Sequence, residues 1–447
     1  MRLTVHEIGR VVEAKNNFQV YEDLELNKLE FDSRKIEVND VFLALKGQLD
    51  GHDFINKAFD KGALISISEK EVDFPHLLVN DSVLALQKLA SYYLDKQDVE
   101  VIAITGSNGK TTTKDMTAAV LSSHYNCYKT QGNYNNELGL PYTILSMPEE
   151  TEKLVLEMGM DRPGEIAFLS ELARPNLAII TLIGESHLEF FGTRREIARG
   201  KMGITKGLSR DSLLIAPEDS IIDEFVPENQ SVIRFGENAE LKLVDFQEEK
   251  NYIKFKTNFL DTEFTIPLQG KFNAMNALIA VYVGDLKNVP LEKIKKSLKE
   301  IELTKNRTQW RKTKNGAELL SDVYNANPTA MRLIIESFQE LPSVSGSRKI
   351  LLLADMLELG AEEIKMHEDI AEVIQLDKID KIYLYGPLMK YLAKKIPTAL
   401  HFTDFNSLKS EFIKELKKND QLLLKGSNSM RLSELVDLLC ENNLTES

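Results

Sequence analysis

From residue 99 onward the chain alternates two hydrophobic patterns. Short, mostly apolar runs occupy 99–104, 154–158, 177–182, 213–216 and 232–235, as strands buried on both faces of a parallel sheet do. Between and after them, apolar residues recur at helical spacing, which predicts helices over 111–123, 194–208, 271–283 and 291–301. This alternation predicts a mostly parallel sheet with helices on both faces. A partly alternating stretch, 241–268, predicts a β-rich excursion ahead of the helix at 271. Upstream, short strands at 41–45, 63–68 and 77–80 precede a helix over 82–94. Downstream, runs at 349–353, 381–385, 399–402 and 421–424 predict a second doubly wound unit. The fold class read from the pattern is α/β in three domains: a small one over 1–97, a central sheet over 98–307, and a Rossmann-like one over 308–447.

Composition narrows the function. A chain of 447 residues is too long for one ordinary core. With 43% hydrophobic and 28% charged residues it reads as a soluble globular protein. Two cysteines, Cys127 and Cys440, offer no metal spacing or disulfide framework and suit a reducing compartment. No leader-like or membrane-length apolar run is evident, so a cytoplasmic location without stable membrane insertion is expected. A net charge of −14 argues against a nucleic-acid partner, yet a few local cations can still hold small anions. No broad apolar surface stripe stands out, and a monomer is expected.

Chemistry concentrates in the segment Thr105-Gly106-Ser107-Asn108-Gly109-Lys110-Thr111-Thr112. It joins the run 99–104 to the helix 111–123. Strand, glycine loop and helix in that order form a phosphate cradle: backbone N–H groups turn inward, Lys110 reaches the terminal phosphates, and Thr111 can ligate Mg²⁺. The full P-loop pattern has a glycine where this chain has Ile104, so a surface turn is the competing reading. The flanking elements favour the cradle, and with it a nucleoside triphosphate.

Three further residues gather around that cradle. Glu157 ends the run 154–158, where a carboxylate is either a Mg²⁺ ligand or a cap for the next turn. His187 follows the run 177–182 in a loop, a position where histidine is most often merely solvated. Lys201 lies four residues after Ile197 and three before Ile204, inside the apolar stripe of its helix. A buried ammonium is costly unless paired or neutralised, and a neutral buried amine is reactive.

These residues, with the segment Gly132-Asn133-Tyr134-Asn135-Asn136-Glu137-Leu138-Gly139-Leu140-Pro141, resemble the central domain of the Mur ligases, ATP-dependent amide-forming enzymes of peptidoglycan precursor synthesis. Folylpolyglutamate synthase is a relative of that family. The resemblance covers essentially the whole chain in the family's three-domain order. It implies that Lys110, Thr111 and Glu157 hold the ATP phosphates and a first Mg²⁺. It also implies that Lys201 is carbamylated and shares a second Mg²⁺ with His187. Asn276, and Asn136 with it, are similar to adenine-side asparagines. Arg307 resembles an interdomain arginine that reaches phosphate, and Asp322 an aspartate near the ribose.

The Tyr324-Asn325-Ala326-Asn327-Pro328 segment is similar to that of the family member that adds D-alanyl-D-alanine. By residue physics alone it is a loop leading into a helix, with proline in the first turn. In the first domain, Ser33, Arg34, Lys46 and His52 fall in segments similar to a UDP-sugar-binding domain, although Asp50-Gly51 also reads as simple turn chemistry. Lys425-Gly426-Ser427-Asn428-Ser429-Met430 resembles the family's closing loop.

The resemblance implies a reaction in which ATP phosphorylates the carboxylate of UDP-N-acetylmuramoyl-tripeptide and the dipeptide amine displaces phosphate. Domain closure would exclude water. The competing readings are a family ligase with another acceptor and a catalytically silent nucleotide binder.

Overall fold

The computed structural model describes residues 3–249, 251–302, 304, 308–342 and 346–440. Arg307 lies outside the described residues. In the first unit, strands Leu29–Glu30, Val41–Leu43, Ile65–Ser68 and His76–Leu78 pair in parallel in that order. The helix Ser82–Lys96 follows, and Asp81 caps it by accepting the N–H groups of Val83 and Leu84. Its buried side, with Leu86, Leu89 and Tyr93, joins an apolar cluster that runs from Leu3 to Ile222. The hydrophobic core therefore continues across residue 97, and the first sheet leans on the second.

The central sheet has six parallel strands in the order Ser231–Phe235, Leu213–Pro217, Leu177–Ile180, Glu100–Thr105, Lys153–Glu157, Cys127–Lys129. Later strands flank Glu100–Thr105 on both sides, so a crevice opens at its carboxyl end. Alternation along this strand sends Val101 and Ala103 to one face and Ile102 and Ile104 to the other. The second face is covered by the helices Lys110–Ser122 and Lys271–Leu286 and by an antiparallel sheet of Leu243–Glu249, Tyr252–Thr257 and Glu263–Ile266. Each large apolar side chain so buried contributes about 1.5–3 kcal/mol relative to exposure.

One predicted helix is shorter than its pattern. The α-helical part spans Arg194–Met202 and tightens to a 3-10 turn over Gly203–Thr205. A Cβ on Gly203 would lie 2.8 Å from the Ala167 nitrogen, so close backbone packing bends the chain there.

The third unit carries six strands in the order Gln309–Lys312, Glu318–Asp322, Gln421–Lys425, Lys349–Ala354, Lys381–Tyr385, Leu400–Phe402. Only the first is antiparallel to its neighbour. The two leading strands are additions to the predicted set; their charged and polar ends hide the strand pattern. Asp322 and Lys425 stand opposite each other at the carboxyl ends of neighbouring strands. Among the described residues, no helix is long and apolar enough to cross a membrane.

Candidate active site

The phosphate loop is braced from below. Gly109 has φ of +81°, and a Cβ there would sit 2.8 Å from Asn276 Oδ1; at Gly106 a Cβ would collide with Thr181 Oγ1. Thr181 Oγ1 in turn donates to the Asn108 carbonyl at 2.5 Å. Ser107 Oγ accepts from the Gly184 N–H at 2.9 Å and lies 3.1 Å from the Gly184 carbonyl. Lys110 Nζ donates to the Gly106 carbonyl at 2.8 Å, which arches the loop around the start of the helix Lys110–Ser122. The result is a rigid ring of backbone N–H groups at a helix N-terminus, an anion cradle.

Beside it, Glu157 is only 2% exposed. One carboxylate oxygen, Oε1, accepts from Asn135 Nδ2 at 2.8 Å, while Oε2 is buried without a hydrogen bond among the described residues. An orphaned carboxylate oxygen facing a phosphate cradle fits a hard cation, with the Thr111 hydroxyl as second ligand. Among the described residues no three acidic, histidine or cysteine side chains converge as a cage. An ion here would complete its shell with substrate oxygens, as Mg²⁺ commonly does.

Lys201 is 2% exposed, with Ile197, Ala198 and Met202 buried alongside it. Burial, and then the nearby charge of Lys110, hold its amine well below the ordinary lysine range. His187 takes a left-handed backbone with φ of +61°. Burial pushes its imidazole down, against the opposing pull of Glu358 and Asp161. Among the described residues its Nδ1 makes no well-directed hydrogen bond, although Glu358 Oε2 lies 2.6 Å away and Asp161 Oδ1 3.5 Å away.

The third unit forms the opposite wall. Asn327 caps the helix Pro328–Glu340 by accepting the Ala330 N–H, and its amide donates to Asn108 Oδ1 at 2.9 Å and Ser186 Oγ at 2.7 Å. Thr329 donates its hydroxyl to Glu185 at 2.6 Å. Lys425 Nζ holds Asp322 Oδ2 at 2.5 Å and the Asn325 carbonyl at 2.7 Å. Between the walls lies a cavity of about 1160 Å³.

The cavity brings together Asn108, Gly109, Lys110, Thr111, Thr112 and Glu157 with His187 and Lys201. Asn136, Asn276, Asp322, Tyr324 and Asn325 also line it. Gly106 sits beneath the loop rather than in the wall. Asn327, only 1% exposed, spends its side-chain amide on bonds that join the two units. Asn136 is partly engaged too, its Oδ1 accepting the Gly139 N–H.

Ser33, Arg34, Lys46 and His52 lie away from this cavity, on the first unit. Arg34 is paired with Asp32, holding that carboxyl down to about 2, and Lys46 is paired with Glu69. His52 is engaged within the first unit. Its buried ring bridges Asp50 Oδ1 and the Glu69 N–H, which braces a loop. Sequence reasoning missed Glu358, Ser186, Glu185 and Thr329. They act through contacts between segments more than a hundred residues apart, and only the helix-start signature at Asn327-Pro328 pointed toward that seam.

A glycine-loop nucleotide cradle on a parallel sheet, roofed by a second doubly wound unit, defines a nucleotide-using α/β protein with its chemistry between domains. Residues 104–284 match the model of the Mur ligase middle domain, and residues 306–428 match the Mur ligase glutamate ligase domain. The chain is 37% identical to the UDP-N-acetylmuramoyl-tripeptide--D-alanyl-D-alanine ligase of Bacillus subtilis (strain 168), over all of both chains. It is 32% identical to the enzyme of that name from Escherichia coli (strain K12), covering 94% of this chain and 95% of the relative. MurF from Acinetobacter baumannii superposes with a TM-score of 0.90 at 28% identity, over 98% of this chain and 99% of that one. MurF from Thermotoga maritima in complex with ADP superposes at 0.81 and 30% identity, over 92% and 96%. The chain belongs to the Mur ligase family.

Proposed function

We propose that this chain is an ATP-dependent ligase that joins D-alanyl-D-alanine to UDP-N-acetylmuramoyl-tripeptide, forming the pentapeptide precursor of peptidoglycan. The observation that carries this reading is the cavity walled on one side by Lys110, Glu157 and Lys201 and on the other by Asp322, Tyr324 and Asn325. It accords with full-length relatives that bear that enzyme's name. In this reading residues 1–97 receive the UDP-sugar, with Ser33, Arg34 and Lys46 at the diphosphate. Residues 98–307 hold ATP, and residues 308–447, with Arg307 at the joint, close over it. The protein works as a cytoplasmic monomer.

A carboxylate is a poor electrophile, so it must first be activated. A carboxylate oxygen of the tripeptide attacks the γ-phosphorus of ATP, ADP departs, and an acyl phosphate forms. The phosphate loop and Lys110 fix the phosphoryl group in line with its acceptor, and Asn276 and Asp322 hold the nucleoside. The dipeptide amine then attacks the acyl carbon, the amide forms, the proton leaves to a base, and inorganic phosphate is released. Thr111 and Glu157 would hold one Mg²⁺, and His187 with Lys201 a second. Lys201 suits this role because a neutral amine adds CO₂ and loses a proton to become an anionic carbamate. Bound ions would neutralise the charge that gathers between ATP and the carboxylate.

Phosphate release measured with UDP-N-acetylmuramoyl-tripeptide and ATP, with and without D-alanyl-D-alanine, tests the reading. Turnover should require the dipeptide and add its mass to the product. Turnover with another acceptor, or none with any, would overturn it.

A further inference from the structure

The wall around His187 holds two carboxylates that the mechanism so far leaves unused, one from each side of the cavity. Glu358 Oε2 lies 2.6 Å and Asp161 Oδ1 3.5 Å from the same ring nitrogen, and both side chains line the cavity. Three other acids that line the cavity are committed elsewhere. Asp322 is held by Lys425, Glu237 by Lys271, and Glu165 by the N–H groups of Asp161 and Arg162.

Glu358 is aimed by its backbone. It takes a left-handed conformation with φ of +62°, and its carbonyl accepts the Glu189 N–H at 2.9 Å across the domain seam. On either side the turn is pinned as well. The Met356 N–H donates to buried His367 Nε2 and the Leu357 N–H to Ser427 Oγ, each at 3.0 Å. A non-glycine residue is held in this region only where its surroundings impose it. The carboxylate is thus delivered to the cavity when the third unit docks. Buried Lys201, which has no partner among the described residues, lies in the same wall and marks the reacting centre.

We infer that Glu358, assisted by Asp161, binds the ammonium group of the incoming dipeptide and so determines that the acceptor is an amino-terminal cation. This rests on the ligase reading above. The α-amino group of a peptide is largely protonated at neutral pH and arrives as a cation with three donors. Two carboxylates from opposite walls satisfy two of those donors and set the nitrogen beside the activated carboxyl group, where it becomes the attacking amine once it has given up one proton to solvent. Because one carboxylate belongs to the third unit, the amine subsite is complete only in the docked arrangement.

Steady-state kinetics of Glu358→Gln and Asp161→Asn, varying each substrate in turn, test this. The KM for D-alanyl-D-alanine should rise about 10- to 100-fold in Glu358→Gln, as for loss of a charge-assisted hydrogen bond, and less in Asp161→Asn. The KM values for ATP and UDP-tripeptide should change far less. Hydroxylamine, an uncharged acceptor at neutral pH, should lose much less activity than the dipeptide does. An unchanged dipeptide KM in Glu358→Gln, or equal losses with both acceptors, would overturn the inference. If the unsubstituted protein showed no dipeptide dependence, the ligase reading itself would fall, and the amine site with it.

Discussion

Two lysines of the central unit are equally buried and differently surrounded. Lys114, 1% exposed on the phosphate-loop helix, donates to the Thr130 carbonyl at 3.0 Å and lies 3.3 Å from Asp115 Oδ1. Asp115 in turn pairs with Lys129 at 2.6 Å and accepts from the N–H and hydroxyl of Thr304. Lys201 is 2% exposed and has no such company among the described residues, and the charge of Lys110 opposes its own. One region is a closed network in which each charge is answered. The other holds an amine that folding alone gives no reason to keep. Burial therefore does not mark function; burial without compensation does.

That contrast can be broken most severely at Lys201. Lys201→Ala should lower kcat by at least about 10³-fold, near the upper range for removing one transition-state contact, and Lys201→Arg should not restore it. Lys201→Met should meanwhile be at least as stable as the parent by thermal unfolding, since a costly amine is replaced by an apolar chain of similar length. A clear loss of stability in that variant would make Lys201 structural after all. Asp115→Ala should do the reverse. It strands Lys114 and frees Thr304, and urea unfolding should show a loss of about 3 kcal/mol.

Smaller effects sharpen the same division. Gly109→Ala forces a side chain into a left-handed turn against Asn276 Oδ1. Nucleotide titration should show affinity weakened about tenfold or more, from a strain of about 1–3 kcal/mol. The smallest effect is in pH. The folded-state pKa of Lys201 lies below that of the unfolded chain, about 10.4, so the unfolded chain binds the extra proton. Stability is then fullest above that value and falls as pH drops toward the folded pKa. In bicarbonate-free buffer, the stability advantage of Lys201→Met should be larger at pH 7 than at pH 9. An advantage that did not vary with pH would contradict the depressed amine.

Much of this was legible in the chain. Buried parallel strands show themselves as apolar runs, so most strands of the two large sheets fall where the pattern predicts, Leu213–Pro217 in the central sheet and Lys349–Ala354 in the third unit among them. Lys201 was legible because one charged residue interrupts a helical stripe. Gln309–Lys312 was not, since an edge strand of Gln-Trp-Arg-Lys carries no core signal. The seam between the second and third units was the least legible. Asn108 and Asn327 bond across 219 residues of sequence, and Glu358 is aimed by a backbone conformation that its residue type does not announce. Local pattern reports what each element buries against its own sheet; it is silent on which loops of different sheets meet.

The central claim is that the uncompensated amine of Lys201 becomes an anion in the working protein. Carbon-13 NMR of the protein equilibrated with ¹³C-bicarbonate tests it directly. A carbamate carbonyl resonance should appear in the unsubstituted chain and be missing from Lys201→Ala. Spectra without that resonance, or with the same resonance in both proteins, would contradict it.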